Sequence, residues 1–398
     1  MNETLVAQVA KAFEKRFGDL AGAKAYFAPG RVNLIGEHID YSGGYVFPCA
    51  LTIGTYAIVK PRTDRTIRLF SVNLPLSGVR TFAVDDLAPL KDKGWEAYVK
   101  GVIWALAEKG FRAPCGFDAA IGGDIPGGAG LSSSASLEVL TGFFLRDIYH
   151  WDTKHLTNVD IALSGRKCEN GYCGVNTGIM DQFASAMGKK DSAIYLNTSS
   201  LEYDYAPITM QGRKIVVTNS NKPHSLVSSK YNERRAQSDK ARDLLKTAAP
   251  DIENLCDLSL ERFYSLAGVI KDPVVFKRAK HAVSENERVK ESLIALKAGR
   301  LYRFGDLIDA SGESLRYDYE ATCRETDVLV DAARIQPGVL CSRQTGGGWG
   351  GCTVSIVDEA YVSAFERNVG VIYSEETSYK ATFIVVSVGE GPSTVKSC

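Results

Sequence analysis

The chain has 398 residues, and its 47 lysines and arginines balance 47 aspartates and glutamates. That neutrality argues against nucleic acid or an anionic membrane as the main partner, and no run of eighteen or so apolar residues offers a membrane span. At 45% hydrophobic and 24% charged residues, the composition is that of a globular protein of two or three domains, with cores that need no staples.

The opening MNETLVAQVAKAFEKRF sets Leu5, Val9 and Phe13 on one face. It predicts an amphipathic helix closed near Gly18, and not a signal peptide. A strand at Ala25–Ala28 then enters the loop PGRVNLIGEH. Strands follow at Gly44–Val59, Thr66–Ser71 and Val79–Val84, then a helix in WEAYVKGVIWALAEKG with Trp95, Tyr98, Val99, Val102, Ile103 and Leu106 on one face. Gly116–Ile121 reads as a strand, and Leu137, Leu140, Phe144 and Ile148 as one face of the next helix. A helix-rich block spans Val159–Met187, and the strand AIYLN and a hairpin-like polar region come after it. The strand Lys214–Ser220 opens a second half with helices at Lys230–Lys246, Val274–Leu296 and Leu301–Leu315. It closes with strand, glycine loop, strand, helix, strand. The organisation is α+β in two domains, 1–205 and 206–398. Nine cysteines, an odd number with no C-x-x-C pair, read as buried reduced thiols; Cys49 in VFPCALTI is typical. A cytoplasmic protein, monomeric or weakly oligomeric, is expected.

Four stretches carry chemistry. GGDIPGGAGLSSSASLEVL sets Gly127, Gly128, Ala129, Gly130 and Leu131 ahead of Ser132, Ser133 and Ser134 at a helix entrance. Unpaired N–H groups and the positive end of the helix dipole suit phosphate there, although a plain serine N-cap has the same look. The lysine of a P-loop is missing. RVNLIGEHIDYSGG gathers Arg31, Glu37, His38 and Asp40 in a glycine-bounded loop, a donor and acceptor set suited to a polyol. GVNTGIMDQF places Asp181 in an apolar setting, where a carboxylate needs a partner; a solvent-facing helix residue is the alternative. RQTGGGWGGC is a second glycine loop, or a tight hairpin turn.

Together these stretches resemble the GHMP kinases, and among them most closely the galactokinases. GRVNLIGEHIDY, PGGAGLSSSAS, TGGGWGGC, GIMDQF and SSKYNERR occur in family order over nearly the whole chain. The resemblance implies an N-terminal domain with a left-handed βαβ crossover, an exception to the usual hand. It also implies a ferredoxin-like C-terminal domain and an active site between the two. The implied reaction transfers phosphate from MgATP to the C1 hydroxyl of α-D-galactose, the entry step of galactose breakdown. In it Asp181 takes or orients the C1 proton and Arg31 sits beside it. Glu37, His38, Asp40, the backbone at Gly178 and Tyr231 hold the sugar. Gly127–Ser134 cradle phosphate, and Gly346, Gly347 and Gly348 approach the nucleotide. Ser134 and Glu169 are implied Mg²⁺ ligands, with an exposed helix position the alternative for Glu169. Trp95 lines the adenine pocket or packs in its helix core. Ile39 stands where galactokinases carry threonine, as in relatives that act on N-acetylgalactosamine, so an N-acetylgalactosamine kinase or C2-tolerant sugar 1-kinase is the runner-up. A non-catalytic galactose sensor is a further class, disfavoured by the complete GLSSSAS and by Asp181. Trp349 and Gln344 also depart from the family's usual residues, with small expected effects on nucleotide binding.

Overall fold

A computed structural model describes residues 2–89, 94–127, 130–222 and 227–395. The first half runs α1 (Glu3–Phe17), β1 (Lys24–Asn33), β2 (Tyr45–Val46), β3 (Pro48–Pro61), β4 (Thr66–Ser71), β5 (Arg80–Ala83), α2 (Glu96–Glu108), β6 (Phe117–Gly123) and α3 (Ser133–Ile148). It continues with α4 (Asn158–Lys167), a π-helical turn (Cys168–Cys173), α5 (Met180–Met187), β7 (Ser192–Asn197) and β8 (Tyr203–Pro207). The second half holds β9 (Arg213–Asn219), α6 (Val227–Lys246), α7 (Leu260–Leu266), α8 (Pro273–Lys297), α9 (Leu301–Ser314) and α10 (Arg324–Arg334). After these come β10 (Val339–Thr345), β11 (Cys352–Asp358), α11 (Val362–Thr377), β12 (Thr382–Val386) and β13 (Ser393–Val395).

Six strands form the large sheet in the order β13-β1-β3-β6-β4-β5. β4 and β6 pair in parallel, with β5 and α2 between them in the chain. The period-two alternation of a strand gives this sheet two cores. Tyr56 and Ile58 face α1, where Leu5, Val6, Val9 and Phe13 are buried; Ala57 and Val59 face the main core with Leu140 and Phe144 of α3. Each large side chain buried under α1 contributes about 1.5–3 kcal/mol. The Asn2 side chain accepts from Leu5 N and caps α1, while Gly18, at φ +101°, ends it. A four-stranded antiparallel sheet, β10-β11-β9-β12, carries the second half. There Val216 and Val357 pack on Leu329, Phe365 and Val369 of α10 and α11, while Ile215 and Val217 face the main core. β2, β7 and β8 make a third, small sheet. The final strand leaves its half of the chain: β13 pairs with β1, Ala25 opposite Val395.

Three local differences from the sequence reading shape the site. β1 does not stop near Ala28. After a bulge between Pro29 and Arg31 it continues through Asn33, paired with β3, so Arg31 sits on a strand and not in a loop. The Gly44–Val59 run divides at Phe47, because Phe47 N donates to Ile35 O (3.0 Å) and Leu34 N to Phe47 O (3.2 Å), tying the run to the loop after β1. The Val159–Met187 block breaks after the π-helical turn at Gly174, which is left-handed (φ 76°); residues 174–178 then run without regular structure.

Candidate active site

Arg31 and Asp181 come together at the centre. The Arg31 side chain donates Nε to Asp181 Oδ1 (2.7 Å), Nη2 to Asp181 Oδ2 (2.6 Å) and Nη1 to Gly130 O (2.7 Å). Burial opposes a charge on Arg31, but Asp181, and behind it Glu37 and Asp40, hold its pKa above the ordinary value. The planar fork matches the carboxylate edge, which a lysine could not do. Ser132 heads α3 in the left-handed region (φ 57°) and makes no capping bond there; its hydroxyl donates to Asp181 Oδ2 instead. The plain N-cap reading therefore does not hold for Ser132, which is turned toward the catalytic candidate and does not cap its helix. Asp181 begins α5 with its side chain 31% exposed, so it is paired and accessible together.

A cavity of about 500 Å³ opens on one side of this pair, lined by Arg31, Glu37, His38, Asp40, residues 174–178, Met180, Asp181, Tyr231, Asn232, Gly346 and Gly347. Glu37 is buried, and its Oε1 accepts from Gly346 N (2.8 Å), Thr345 Oγ1 (2.9 Å) and Arg343 Nη2 (3.4 Å). His38, in the left-handed region (φ 59°), sits among Tyr231, Tyr319, Tyr41 and Trp349, and its Nδ1 pairs with Tyr41 Oη (2.9 Å). Burial, with His281 and Arg234 adding to it, pushes His38 down to about 3, so the ring is neutral. Its Nε2 is buried without a hydrogen-bond partner among the described residues. Burial, then the charges of Asp181 and Glu37, pushes Asp40 up to about 7. Gly178 is dictated by this carboxyl: a Cβ there would lie 1.8 Å from Asp40 Oδ2.

A second cavity, about 280 Å³, shares Arg31, Asp181 and Gly347 with the first. Ile125, Pro126, Gly130, Leu131, Ser132, Ser133 and Ser134 complete its wall. Gly130 is left-handed (φ 66°), and its carbonyl lies 3.2 Å from where a Cβ on Gly346 would be, so the two glycine loops touch. Glu169 is buried on the π-helical turn, which overturns its alternative as an exposed helix position. Its pKa is raised by burial, against hydrogen bonds from Ser134, Thr177 and Gln182; the Thr177 hydroxyl donates at 2.8 Å and Gln182 Nε2 at 3.1 Å.

Not every expected residue joins these walls. Gly128 and Ala129 lie outside the described residues, and Gly127 is exposed with open space around it. Gly348 lines neither cavity; a Cβ on it would meet Ala321 O at 2.3 Å, so no side chain fits there. Trp95 also lies outside both walls, half-buried ahead of α2 with Nε1 donating to Ser77 Oγ (3.4 Å). Ile39 is fully buried and packs against Gly44 and Cys256, away from the cavity. Trp349 is buried on Leu315, Tyr319 and Ala321.

The sequence reading missed the braces behind the sugar-type loop. Three come from α8, some 245 residues away: His281 Nε2 pairs with Glu37 O (3.1 Å), Glu285 Oε1 accepts from Gly36 N (2.8 Å), and Asn286 Oδ1 accepts from Tyr45 N (2.8 Å). Despite burial, Arg288, His281 and Arg343 hold Glu285 down to about 2. Arg343 of β10 is the fourth brace. His281, Glu285 and Asn286 sit on a helix with no motif around them and carry no local signal, and Arg343, although it opens the RQTGGGWGGC stretch, has nothing beside it in sequence to show which carbonyls it meets. Glu138, fully buried and joined to Glu169 through Gln182, was missed for the same reason.

Three family models match the chain: a galactokinase galactose-binding signature over residues 11–61, the GHMP kinases N-terminal domain over 97–189, and the GHMP kinases C-terminal model over 292–371. A galactokinase of Lactiplantibacillus plantarum is 47% identical over 94% of this chain and 96% of its own length. One of Fusobacterium nucleatum is 45% identical over 98% of this chain and all of its own. The crystal structure of Lactococcus lactis galactokinase complexed with galactose superposes with a TM-score of 0.94, at 42% identity, covering 98% of this chain and 100% of that one. A mevalonate kinase, at 17% identity and a TM-score of 0.64 over 92% of this chain and 98% of its own, shares the fold.

Proposed function

The chain belongs to the galactokinase family of GHMP kinases, and from that premise we propose how it carries out the family's reaction. It is a kinase that transfers the γ-phosphoryl group of ATP to the C1 hydroxyl of α-D-galactose, giving galactose 1-phosphate and ADP. The observation that carries the assignment of roles is the Arg31–Asp181 pair at the junction of the two cavities. The larger cavity takes the sugar and the smaller one the triphosphate, so the acceptor hydroxyl and the γ-phosphorus meet over one carboxylate.

Asp181 orients the C1 hydroxyl. Its lone pairs are already engaged by Arg31 and Ser132, so it receives the proton late, as the bond to phosphorus forms. That order suits a loose phosphoryl-transfer transition state, in which positioning and charge neutralisation do most of the work. Arg31 stabilises charge growing on the transferred group. Glu37, Asp40 and Tyr231 supply acceptors and a donor for the ring hydroxyls, and a hydroxyl against His38 Nε2 gives that buried nitrogen a partner. The backbone at Gly178 closes the same wall. Gly130, Leu131 and Ser132–Ser134, with Gly346 and Gly347 opposite, line the phosphate side.

The oxygen donors of Ser134 and Glu169 fit a Mg²⁺ ion, which takes one or two carboxylates and completes its shell with phosphate and water. Among the described residues no group of three or more His, Cys, Asp or Glu could hold a metal, so a closed protein cage is not on offer. When bound, the ion neutralises phosphate charge. We place the enzyme in the cytoplasm, where ATP is supplied, as a monomer or weak oligomer; among the described residues no helix is long and apolar enough to cross a membrane. The two halves 1–205 and 206–398 serve as the sugar-and-nucleotide half and the half that closes over it.

Galactose is favoured over N-acetylgalactosamine because Ile39, the residue that raised the alternative, points into the core. The test is galactose-dependent ADP release, with the product identified as the anomeric phosphate and glucose, talose and N-acetylgalactosamine run in parallel. Equal turnover of the acetamido sugar would remove the preference, and no sugar-dependent ADP would remove the activity.

A further inference from the structure

Arg343 is 0% exposed, and it stands on β10 of the four-stranded sheet, immediately ahead of the third glycine loop. Its guanidinium reaches across to the other half of the chain. Nε donates to Leu34 O (2.9 Å) and Nη2 to Asn33 O (2.6 Å), two carbonyls at the start of the sugar loop, and Nη1 turns back to Gln344 O (2.7 Å). The same group lies 3.3 Å from Glu37 Oε1. A charge this deep persists only where its donors are met, and here the guanidinium is met by three backbone carbonyls as well as by Glu37. Thr345 Oγ1 and Gly346 N add to the same oxygen of Glu37. Among the described residues the donors to Glu37 thus converge on Oε1, which leaves Oε2 to act in the cavity that Glu37 lines.

We propose that Arg343 is the positioning residue for sugar binding: it fixes the rotamer of Glu37 and locks the third glycine loop to the sugar loop, so that one carboxylate oxygen is presented to a sugar hydroxyl. Arg343 lines neither cavity and touches no substrate; it acts through Glu37. The inference rests on the reading of Glu37 as a sugar ligand, and the test separates the two.

The variants are Arg343→Lys, Glu37→Gln and the double substitution, assayed for KM of galactose, KM of ATP, kcat and melting temperature. A lysine keeps the charge but cannot reach Leu34, Asn33 and Glu37 at once. The expected result for Arg343→Lys is a galactose KM raised at least about tenfold, equivalent to the loss of one good polar contact, with the ATP KM unchanged. In the double variant the galactose KM should be no worse than in Glu37→Gln, because the two act as one unit. A folded Arg343→Lys with an unchanged galactose KM overturns the proposal, as does a parallel rise of both KM values or full additivity of the two changes. If Glu37→Gln alone leaves galactose KM unmoved, the role of Glu37 falls and the inference falls with it. If Glu37→Gln acts and Arg343→Lys does not, only the inference fails. Should Arg343→Lys not accumulate as folded protein, Thr345→Val removes a single donor to Oε1. It should raise the galactose KM about threefold with the ATP KM constant, and no change in it overturns the proposal.

Discussion

The two sides of the Arg31–Asp181 pair are built by opposite means. The sugar side is assembled from distant parts of the chain: a loop after β1, the segment 174–178, Tyr231 of α6, and braces from α8 and β10. Its groups are buried, its histidine is neutral and its glutamate is held at one oxygen by three donors. The phosphate side draws on Ile125, Pro126 and Gly130–Ser134, facing one other loop, and what these offer is chiefly backbone and hydroxyl. Ring hydroxyls differ between sugars by the direction of single bonds, so reading them needs fixed acceptors. A triphosphate is the same in every kinase and needs only N–H groups and positive charge. Side-chain changes should therefore be costly on the sugar side and tolerated on the phosphate side, except where the two meet.

The junction should give the largest effect. Asp181→Asn removes the proposed proton acceptor, and we expect kcat to fall at least about a thousandfold with the melting temperature lowered by only a few degrees, both measured on one preparation. Asparagine and alanine both remove the counter-ion of buried Arg31, but asparagine keeps one oxygen to accept from the guanidinium and so holds the stability cost to about 2 kcal/mol. Near-normal kcat would break the account of the junction. Arg31→Lys comes next. It keeps the charge and loses the fork, with an expected fall in kcat of about a hundredfold; unchanged kinetics would leave Arg31 a structural residue. On the sugar side alone, Gly178→Ala drives a methyl into Asp40 and should raise the galactose KM about tenfold or more with little change for ATP. A rise confined to ATP would reverse the assignment of the two cavities.

The acid–base behaviour of Asp40 sharpens the same contrast. Its carboxyl is pushed up to about 7 by burial and by Asp181 and Glu37, with Arg235 opposing. The folded protein therefore binds that proton more tightly than the unfolded chain does. Asp40 contributes stability at low pH that is lost as pH rises from about 4 through 7. If, as proposed, the carboxylate accepts from a sugar hydroxyl, galactose binding should weaken as pH falls below about 7. Affinity measured by calorimetry across that range checks the first arm. The second is a melting temperature less sensitive to pH in Asp40→Asn than in the parent. The smallest change in activity belongs to Ile39→Thr. It shortens a core side chain, costing about 1–2 kcal/mol, and should leave the ratio of galactose to N-acetylgalactosamine turnover where it was.

Legibility followed chain distance. The alternation of β3 and the apolar faces of α1 and α3 were readable because each is a local period, and the motif residues Arg31, Glu37, His38, Asp40, Ser132 and Asp181 were readable because each sits in a dense polar or glycine-rich stretch. The extension of β1 through Asn33 was not, because PGRVN looks like a loop until β3 pairs with it. Asp181 was seen, but its two-pronged partnership with a residue 150 positions away was expected only from the resemblance to known kinases. His281 and Glu285 left no trace at all, and Arg343 appeared only as the residue ahead of a glycine loop, with nothing to mark it as a brace. A buried polar residue on a helix or strand is indistinguishable in sequence from an exposed one, and what defines these three is the carbonyl or carboxylate they meet across the fold. Trp95 shows the limit from the other side: an aromatic at a helix start reads equally as an adenine contact or as core packing, and here it packs on the main core with its Nε1 on Ser77.

A body hung from two points swings about the line that joins them and resists every other rotation. The main chain enters the four-stranded sheet through residues 208–212 and leaves it through 387–392 on the way to β13. That second strap is stitched down, Thr52 N to Ser387 O (3.1 Å), Gly389 N to Ala50 O (2.8 Å) and Gly391 N to Gly188 O (2.9 Å). The second half is thereby tied to the first by chain at both of its ends, and a protease cut within 387–392 should loosen that tie and lower the melting temperature of the nicked protein.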